Sequence, residues 1–433
     1  MPFRFGVVTL TEAPQAFARV RIRLENGAEA EGAAAELLAP KWFDKNPALS
    51  NEENFDQLRS SLALAKGAYL GGGADTAFGH FDAHYRPQLD LAAGKGLNAL
   101  VANYGPALLD RALLDGLCRG LAISFYDAIR HNVAGLALPA QFLESLRPAS
   151  RIAARHTVGL VDPITSVEQR VNDGLPETLE EVVARYGHRW FKLKVGGDAK
   201  VDVERLAAIA SVLDRIAEPY HASLDGNEQY ENVEGVLELW RQMAASSRLK
   251  RLVSSIVFIE QPIKRQNALA ADVSSLSREK PVIIDESDDS LDAFPRAKAL
   301  GYRGVSSKTC KGLYKSFINA ARCAEWGADY FMTGEDLTIQ AGLAIQQDLA
   351  LVSLLGLTHV ERNGHHYVNG MAGLPVHEQD AFLKAHPDLY ERSHGAVRVR
   401  ITKGQLAIGS LNGAGFASGA MPDWNQMEEM RFR

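Results

Sequence analysis

Apolar and polar residues take turns along the first part of the chain. FGVVTL (5–10) is followed by AFARVRIRL (16–24) and then by Asn26-Gly27, a dipeptide suited to a tight turn between two strands. The pattern predicts a small antiparallel meander. Between Lys41 and Asn54, Pro47 with Asn46 and Asn51, following Pro40, signals a loop, which would carry Trp42 and Phe43 as an exposed pair and serve as a lid or contact surface. From Ser50 to Asn132 the apolar period changes to three and four, most clearly in ALLDRALLDGLCRGLAISFYDAIRHN. Helices are expected there, broken at Gly71 to Gly73 and by a loop near Gly105-Pro106. Residues 1–145 thus form an α+β unit.

Beyond Arg151 short apolar runs alternate with helix-period segments. The runs are HTVGLVD, RWFKLKV, YHASLDG, SIVFIEQ, PVIIDES, YRGVSSK, DYFMTGE and THVERN. Between them, Leu206, Ile209, Leu213 and Ile216 fall on one helix face, and Val233, Val236, Trp240 and Met243 on another. Repeated strand-helix units with no glycine-rich phosphate loop after the first strand predict an α/β fold. Its architecture would be a (β/α)8 TIM-like barrel over 146–390. The segment 391–433, with VRVRITKGQLAIGSLNGAGF, reads as a strand pair and loop that returns to complete the N-terminal capping domain.

Composition narrows the function classes. With 433 residues, 23% of them charged and a net charge of -6, the chain is a globular protein and a poor nucleic-acid binder. The apolar run near Leu349 to Leu357 is too short to span a bilayer, which needs roughly 20 residues. MPFRFGVVTLTEAPQ has none of the parts of a secretory signal, so the expected location is cytoplasmic. Cys118, Cys310 and Cys323 match no zinc spacing and read as buried, inert thiols.

Barrel enzymes carry their chemistry where strands end. Lys192 and Lys194 lie in the second run, Asp225 ends the third, Glu260 the fourth, Asp285 with Glu286 the fifth, and Lys308 the sixth. Alternation puts both lysines of the second strand on one face and Phe191, Leu193 and Val195 on the other. Taken singly, each position suits a solvated edge, a helix cap or a salt bridge. Three carboxylates converging after apolar runs need a cation, and all-oxygen ligation selects Mg2+. The metal, the carboxylates and two ammonium groups together favour an anionic ligand. A substrate carboxylate on the metal would have its neighbouring C–H acidified through the enediolate, and a lysine could take the proton.

The ordered set FKLKVGG, SLDGNE, FIEQP, IIDES and SSKTCKG resembles the enolase superfamily, in its mandelate racemase and muconate lactonizing enzyme group. Within that group it is most similar to the muconate-lactonizing-enzyme subgroup. The resemblance spans nearly the whole chain. It implies that Asp225, Glu260 and Asp285 bind Mg2+, that Lys194 and Lys308 are the acid and base, and that Lys192 binds the substrate carboxylate or tunes Lys194. Asn227 and Glu286 would orient ligands, with Glu286 the alternative to Asp285 as third ligand. The seventh strand ends in Thr333, Gly334, Glu335 and Asp336 without the histidine of the mandelate racemase subgroup. HVERNGHHYVNG lacks the Asp-x-Asp of dipeptide epimerases, which disfavours an aminoacyl amide substrate. Glu335 and Glu361 would serve as extra acids or as polar contacts for the distal end of the substrate, and His365 and His366 read as a surface loop.

The family's specificity loops come from the N-terminal unit, so Thr9 to Phe17 and the Trp42 segment are expected to close over the site. The function implied is Mg2+-dependent removal of the α-proton of a small carboxylate, as a racemase or epimerase. Cycloisomerase or syn-dehydratase chemistry is the alternative, and a Schiff-base aldolase or non-catalytic metal-binding barrel is more distant. No nucleic-acid or membrane partner is expected, and the family's dimers and octamers imply a homo-oligomer.

Overall fold

The alternating N-terminal residues form two hairpins in the computed structural model, which describes residues 2–6, 8–337 and 340–430. β1 (Phe3–Phe5) pairs with β2 (Val8–Leu10), and Val7, inside the first expected strand, lies outside the described residues. β3 (Gln15–Arg23) pairs antiparallel with β4 (Glu29–Leu37) around Gly27, which takes a positive φ of 81° in the turn. Helices follow at Asn51–Gly71, Ala77–Ala93, Tyr104–Gly120 and Phe125–Arg130. The first is opened by a capping box of Ser50 and Glu53 and stops at the expected glycine run.

Two expectations for this unit are corrected. Gly105-Pro106 does not make a loop but begins the helix Tyr104–Gly120, since proline lacks only a donor that the first turn leaves unused. Trp42 and Phe43 are not exposed, being 4% and 2% accessible, and Phe43 meets the edge of Tyr104 at 5.4 Å. Two adjacent rings on a loop gain more from burial than the loop's polar residues indicate.

Among the described residues eight parallel strands close a barrel: β5 (Arg151–Val158), β6 (Trp190–Lys194), β7 (His221–Asp225), β8 (Ile256–Glu260), β9 (Val282–Ile284), β10 (Gly304–Ser307), β11 (Phe331–Gly334) and β12 (His359–Glu361). Each pairs with the next, and β12 pairs with β5. Phe191, Leu193, Val195, Ala222 and Leu224 face outward into one apolar core with Leu206, Ile209, Leu213, Val233, Val236, Trp240 and Met243. That apolar wall frees the inner face for charge.

The C-terminal stretches do not pair with each other. β14 (Ala396–Val399) pairs with β13 (Tyr390–Ser393), while β15 (Gln405–Ala407) runs antiparallel along β5. The chain then reaches the N-terminal unit, where Ser124 bridges to Ala414 and Gly415 and Phe416 stacks on Phe125 at 3.9 Å. The three cysteines are free, and no helix among the described residues is long and apolar enough to cross a membrane.

Candidate active site

Strand register builds the site. Lys194 lies beside Asp225 and Asp225 beside Glu260, so the three share the inner face at one level. Glu260 lies beside Ile283, which puts Asp285, two residues on, on that same face. Lys308 directly follows the end of β10. Lys192, one pleat below Lys194, points to the barrel interior.

Lys192 is ringed by acids. Its Nζ lies 2.9 Å from Asp225, 2.9 Å from Glu260, 2.7 Å from Glu335 and 3.2 Å from Glu361. Burial works against its charge, but the acids outweigh it and hold the ammonium well above the usual lysine range. Lys194 donates to Asp225 Oδ2 at 2.5 Å, and Lys308 donates to Asp285 Oδ2 at 2.5 Å beneath the face of Trp42, 4.2 Å from the ring centre. Burial pushes the Asp225 and Asp285 carboxyls up, yet their lysines bring both below the ordinary range. Lys308 is in turn raised, burial notwithstanding, by Asp285. Glu260 goes the other way, well above its usual value, through burial and the charge of Glu335.

Several buried oxygens here have no donor. Glu260 Oε2, Glu286 Oε2 and Asn227 Oδ1 are unpartnered, although a buried acceptor without a hydrogen bond costs about 1–3 kcal/mol. Asn227 donates from its backbone to Asp225 Oδ1 at 2.9 Å and from its amide to Glu286 Oε1 at 3.2 Å. These are hard oxygen acceptors of the type Mg2+ takes, although among the described residues the only Asp, Glu, His or Cys ligand atoms that converge in a group of three within 4.8 Å are those of a histidine trio elsewhere. The N-terminal unit reaches the same spot, because Lys45 Nζ lies 3.1 Å from Glu286 Oε1, 2.9 Å from the Asn227 carbonyl and 2.5 Å from Glu228.

Lys194, Lys308, Lys192, Asn227 and Glu361 line one small cavity of about 30 Å³, roofed by Phe3, Phe5, Leu10, Ala39 and Trp42. The expected lid is therefore partly shifted. Leu10 and Trp42 cover the site, but Phe17 packs at 6.4 Å against Trp424 elsewhere, and β1 supplies the other aromatics.

Sequence reasoning missed several residues. Arg155, wholly buried on β5, donates to Glu335 and to Thr333 Oγ1 at 2.7 Å, so Glu335 is tied to Arg155 and Lys192 beneath the cavity. Glu361 accepts from Thr157 and, at 2.8 Å, from Asn363. Lys311 donates to the Ser306 carbonyl at 2.7 Å and sits 3.3 Å from Asp285. Arg155 and Thr157 alternate in RIAARHTV, and Lys311 stands three residues after Lys308. That spacing was the available signal. His365 and His366 are not on a surface loop but buried in the short helix Gly364–Tyr367, next to His156 and His188.

A family model described as Enolase C-terminal domain-like matches residues 174–416. No curated protein sequence matches the chain significantly. Among solved structures, an L-Ala-D/L-Glu epimerase from Bacillus subtilis superposes with a TM-score of 0.60 at 16% identity, covering 96% of this chain and 94% of its own. A muconate lactonizing enzyme from Mycobacterium smegmatis gives 0.60 at 19% identity over 98% and 94% of the two chains. A 2-chloromuconate cycloisomerase from Rhodococcus opacus 1CP gives 0.58 at 20% identity over 98% and 94%.

Proposed function

The chain belongs to the mandelate racemase and muconate lactonizing enzyme group of the enolase superfamily and is an enzyme, and from that footing we propose that it removes the α-proton of a small carboxylate to racemise or epimerise it. One observation carries the reading. Lys194 on β6 and Lys308 after β10 stand four strands apart in a ring of eight, on opposite sides of one cavity. A planar, deprotonated α-carbon held between them offers one face to each Nζ, so one lysine removes the proton and the other returns one from the far side.

Asp225, Glu260 and Asp285 would hold Mg2+, with Glu286 and Asn227 beside them, and the donor-less oxygens of Glu260, Glu286 and Asn227 support that fit. When bound, the ion supplies positive charge where the substrate carboxylate gains negative charge. Lys192 steadies the acids from below, and Phe3, Phe5 and Trp42 exclude water from the proton-transfer path. Assembly as a homo-oligomer belongs to the same proposal. The second reading is cycloisomerisation or syn-dehydration, in which one lysine suffices. The likeness to a muconate lactonizing enzyme and a chloromuconate cycloisomerase favours the first of these.

Proton NMR in D2O with Mg2+, across α-hydroxy acids, acid sugars, amino-acid derivatives and unsaturated diacids, tests this. The expected result is exchange of an α-proton, with Lys194→Ala and Lys308→Ala each losing exchange from one enantiomer by about 10²–10⁴-fold. Product formation that one lysine variant abolishes and the other leaves intact would favour the one-base reading. Exchange that survives in both variants would exclude the lysines as acid and base.

A further inference from the structure

The barrel wall has a second cluster of ligating side chains on its other face. His156 follows Arg155 on β5, so where Arg155 points inward His156 points outward. His188 stands just before β6, and His365 lies in the helix after β12. The three are 1%, 0% and 6% accessible, and their ring centres lie 4.9 to 5.4 Å apart. One nitrogen from each ring can be chosen so that all three lie within 4.8 Å of one another.

One hydrogen bond sets the tautomer of His188. His188 Nδ1 is 2.9 Å from the Ala154 carbonyl, which only accepts, so Nδ1 carries the proton and Nε2 presents a lone pair. That Nε2 has no partner, and neither does His365 Nδ1. A ring anchored by Nδ1–H to a carbonyl with its other nitrogen free is the arrangement a metal-binding histidine takes. His156 Nδ1 and His365 Nε2 share a hydrogen bond at 3.1 Å, which an ion bound through these two nitrogens and His188 Nε2 would replace, at close to the separation of about 3.3 Å set by tetrahedral bonds of about 2.0 Å. Burial lowers all three imidazoles, His188 to about 4, and keeps them neutral, the form that binds metal. A merely packed histidine trio would satisfy its nitrogens with hydrogen bonds, and this one leaves two unmet.

We propose that His156, His188 and His365 form a second metal site, for a borderline divalent ion such as Zn2+, separate from the lysine and carboxylate cluster inside the barrel. Nitrogen donors favour Zn2+ over Mg2+, just as the oxygens inside favour the reverse. The position indicates its role. β12 and β5 are the pair that closes the barrel, and the trio joins the outer face of β5, the entrance to β6 and the exit from β12. The ion is a clasp on the closing seam, and it backs the strand whose inner residues Arg155 and Thr157 hold Glu335 and Glu361.

The test loads Mg2+-saturated full-length protein with Zn2+, dialyses it, and counts metal per chain by mass spectrometry. Wild type and Asp225→Asn should each retain about one Zn2+, and His188→Gln and His365→Asn should retain at least tenfold less. Zn2+ should raise the melting temperature of wild type and of neither histidine variant. Co2+ on the wild-type protein gives a readout independent of whether the variants fold, since a nitrogen-ligated four-coordinate ion absorbs strongly in the visible and a six-coordinate oxygen-bound ion weakly. Equal Zn2+ retention in wild type and both histidine variants, loss of Zn2+ in Asp225→Asn, or a weak oxygen-type Co2+ spectrum would each overturn the proposal.

Discussion

Lys192 holds together charges that would otherwise repel. Four carboxylates lie within 3.2 Å of its Nζ, all buried, so replacing it leaves them facing one another. Lys192→Met is expected to destabilise the metal-free protein by about 3–5 kcal/mol, as loss of one partner from a buried ion pair does, with the deficit read from urea melts. His386 gives a cleaner pH signature away from the site. Its Nε2 accepts from the Gly419 amide at 3.0 Å and its Nδ1 lies 3.0 Å from Ser410 Oγ, so the fold holds it neutral, its pKa lowered by burial to about 4. The unfolded chain takes up this proton near pH 6.5 and the folded chain only near 4. Stability from His386 is therefore complete above pH 6.5 and falls as the pH drops towards 4, by on the order of 2–3 kcal/mol. Denaturant midpoints should show this slope in wild type and a shallower one in His386→Gln. At this scale the charged strand ends were legible, because a lysine or carboxylate after an apolar run stands out. Arg155 was not, since its role depends on Glu335, 180 residues away along the chain.

Elements meet through contacts that periodicity does not encode. β4 presses so closely on the helix Tyr104–Gly120 that a Cβ on Gly32 would lie 2.1 Å from the Ala112 carbonyl oxygen and 2.1 Å from the Gly116 nitrogen. Both obstacles are backbone. Gly32→Ala should therefore cost several kcal/mol, on the order of the larger overpacking penalties, and lower the melting temperature well beyond Gly67→Ala, whose Cβ meets nothing within 4 Å. The barrel strands were readable because outward apolar and inward polar positions alternate. His365 and His366 were misread because a glycine and an asparagine precede them, and only the closing of β12 on β5 buries them. Trp42 failed for a related reason. A loop composition describes its backbone, not which cavity its ring covers.

At the scale of the whole molecule, two units share one site. The barrel supplies the ionisable groups and the N-terminal unit the apolar roof, and a cavity of about 30 Å³ has room for about one water. The two-part plan was legible in the change of texture near Arg151. Which side chain reaches across was not, because Lys45 lies in a loop with no period and meets Glu286, 241 residues on. Its ammonium occupies one oxygen of the carboxylate whose other oxygen is free. Lys45 and a cation beside Glu286 are thus electrostatic rivals, and rivalry of this kind is reciprocal. Lys45→Met should bind Mg2+ several-fold more tightly by calorimetry. The converse belongs to the same prediction: an ion held beside Glu286 would weaken the hold of Lys45 on the barrel, so filling the proposed metal site would work against the contact that keeps this loop down over the cavity.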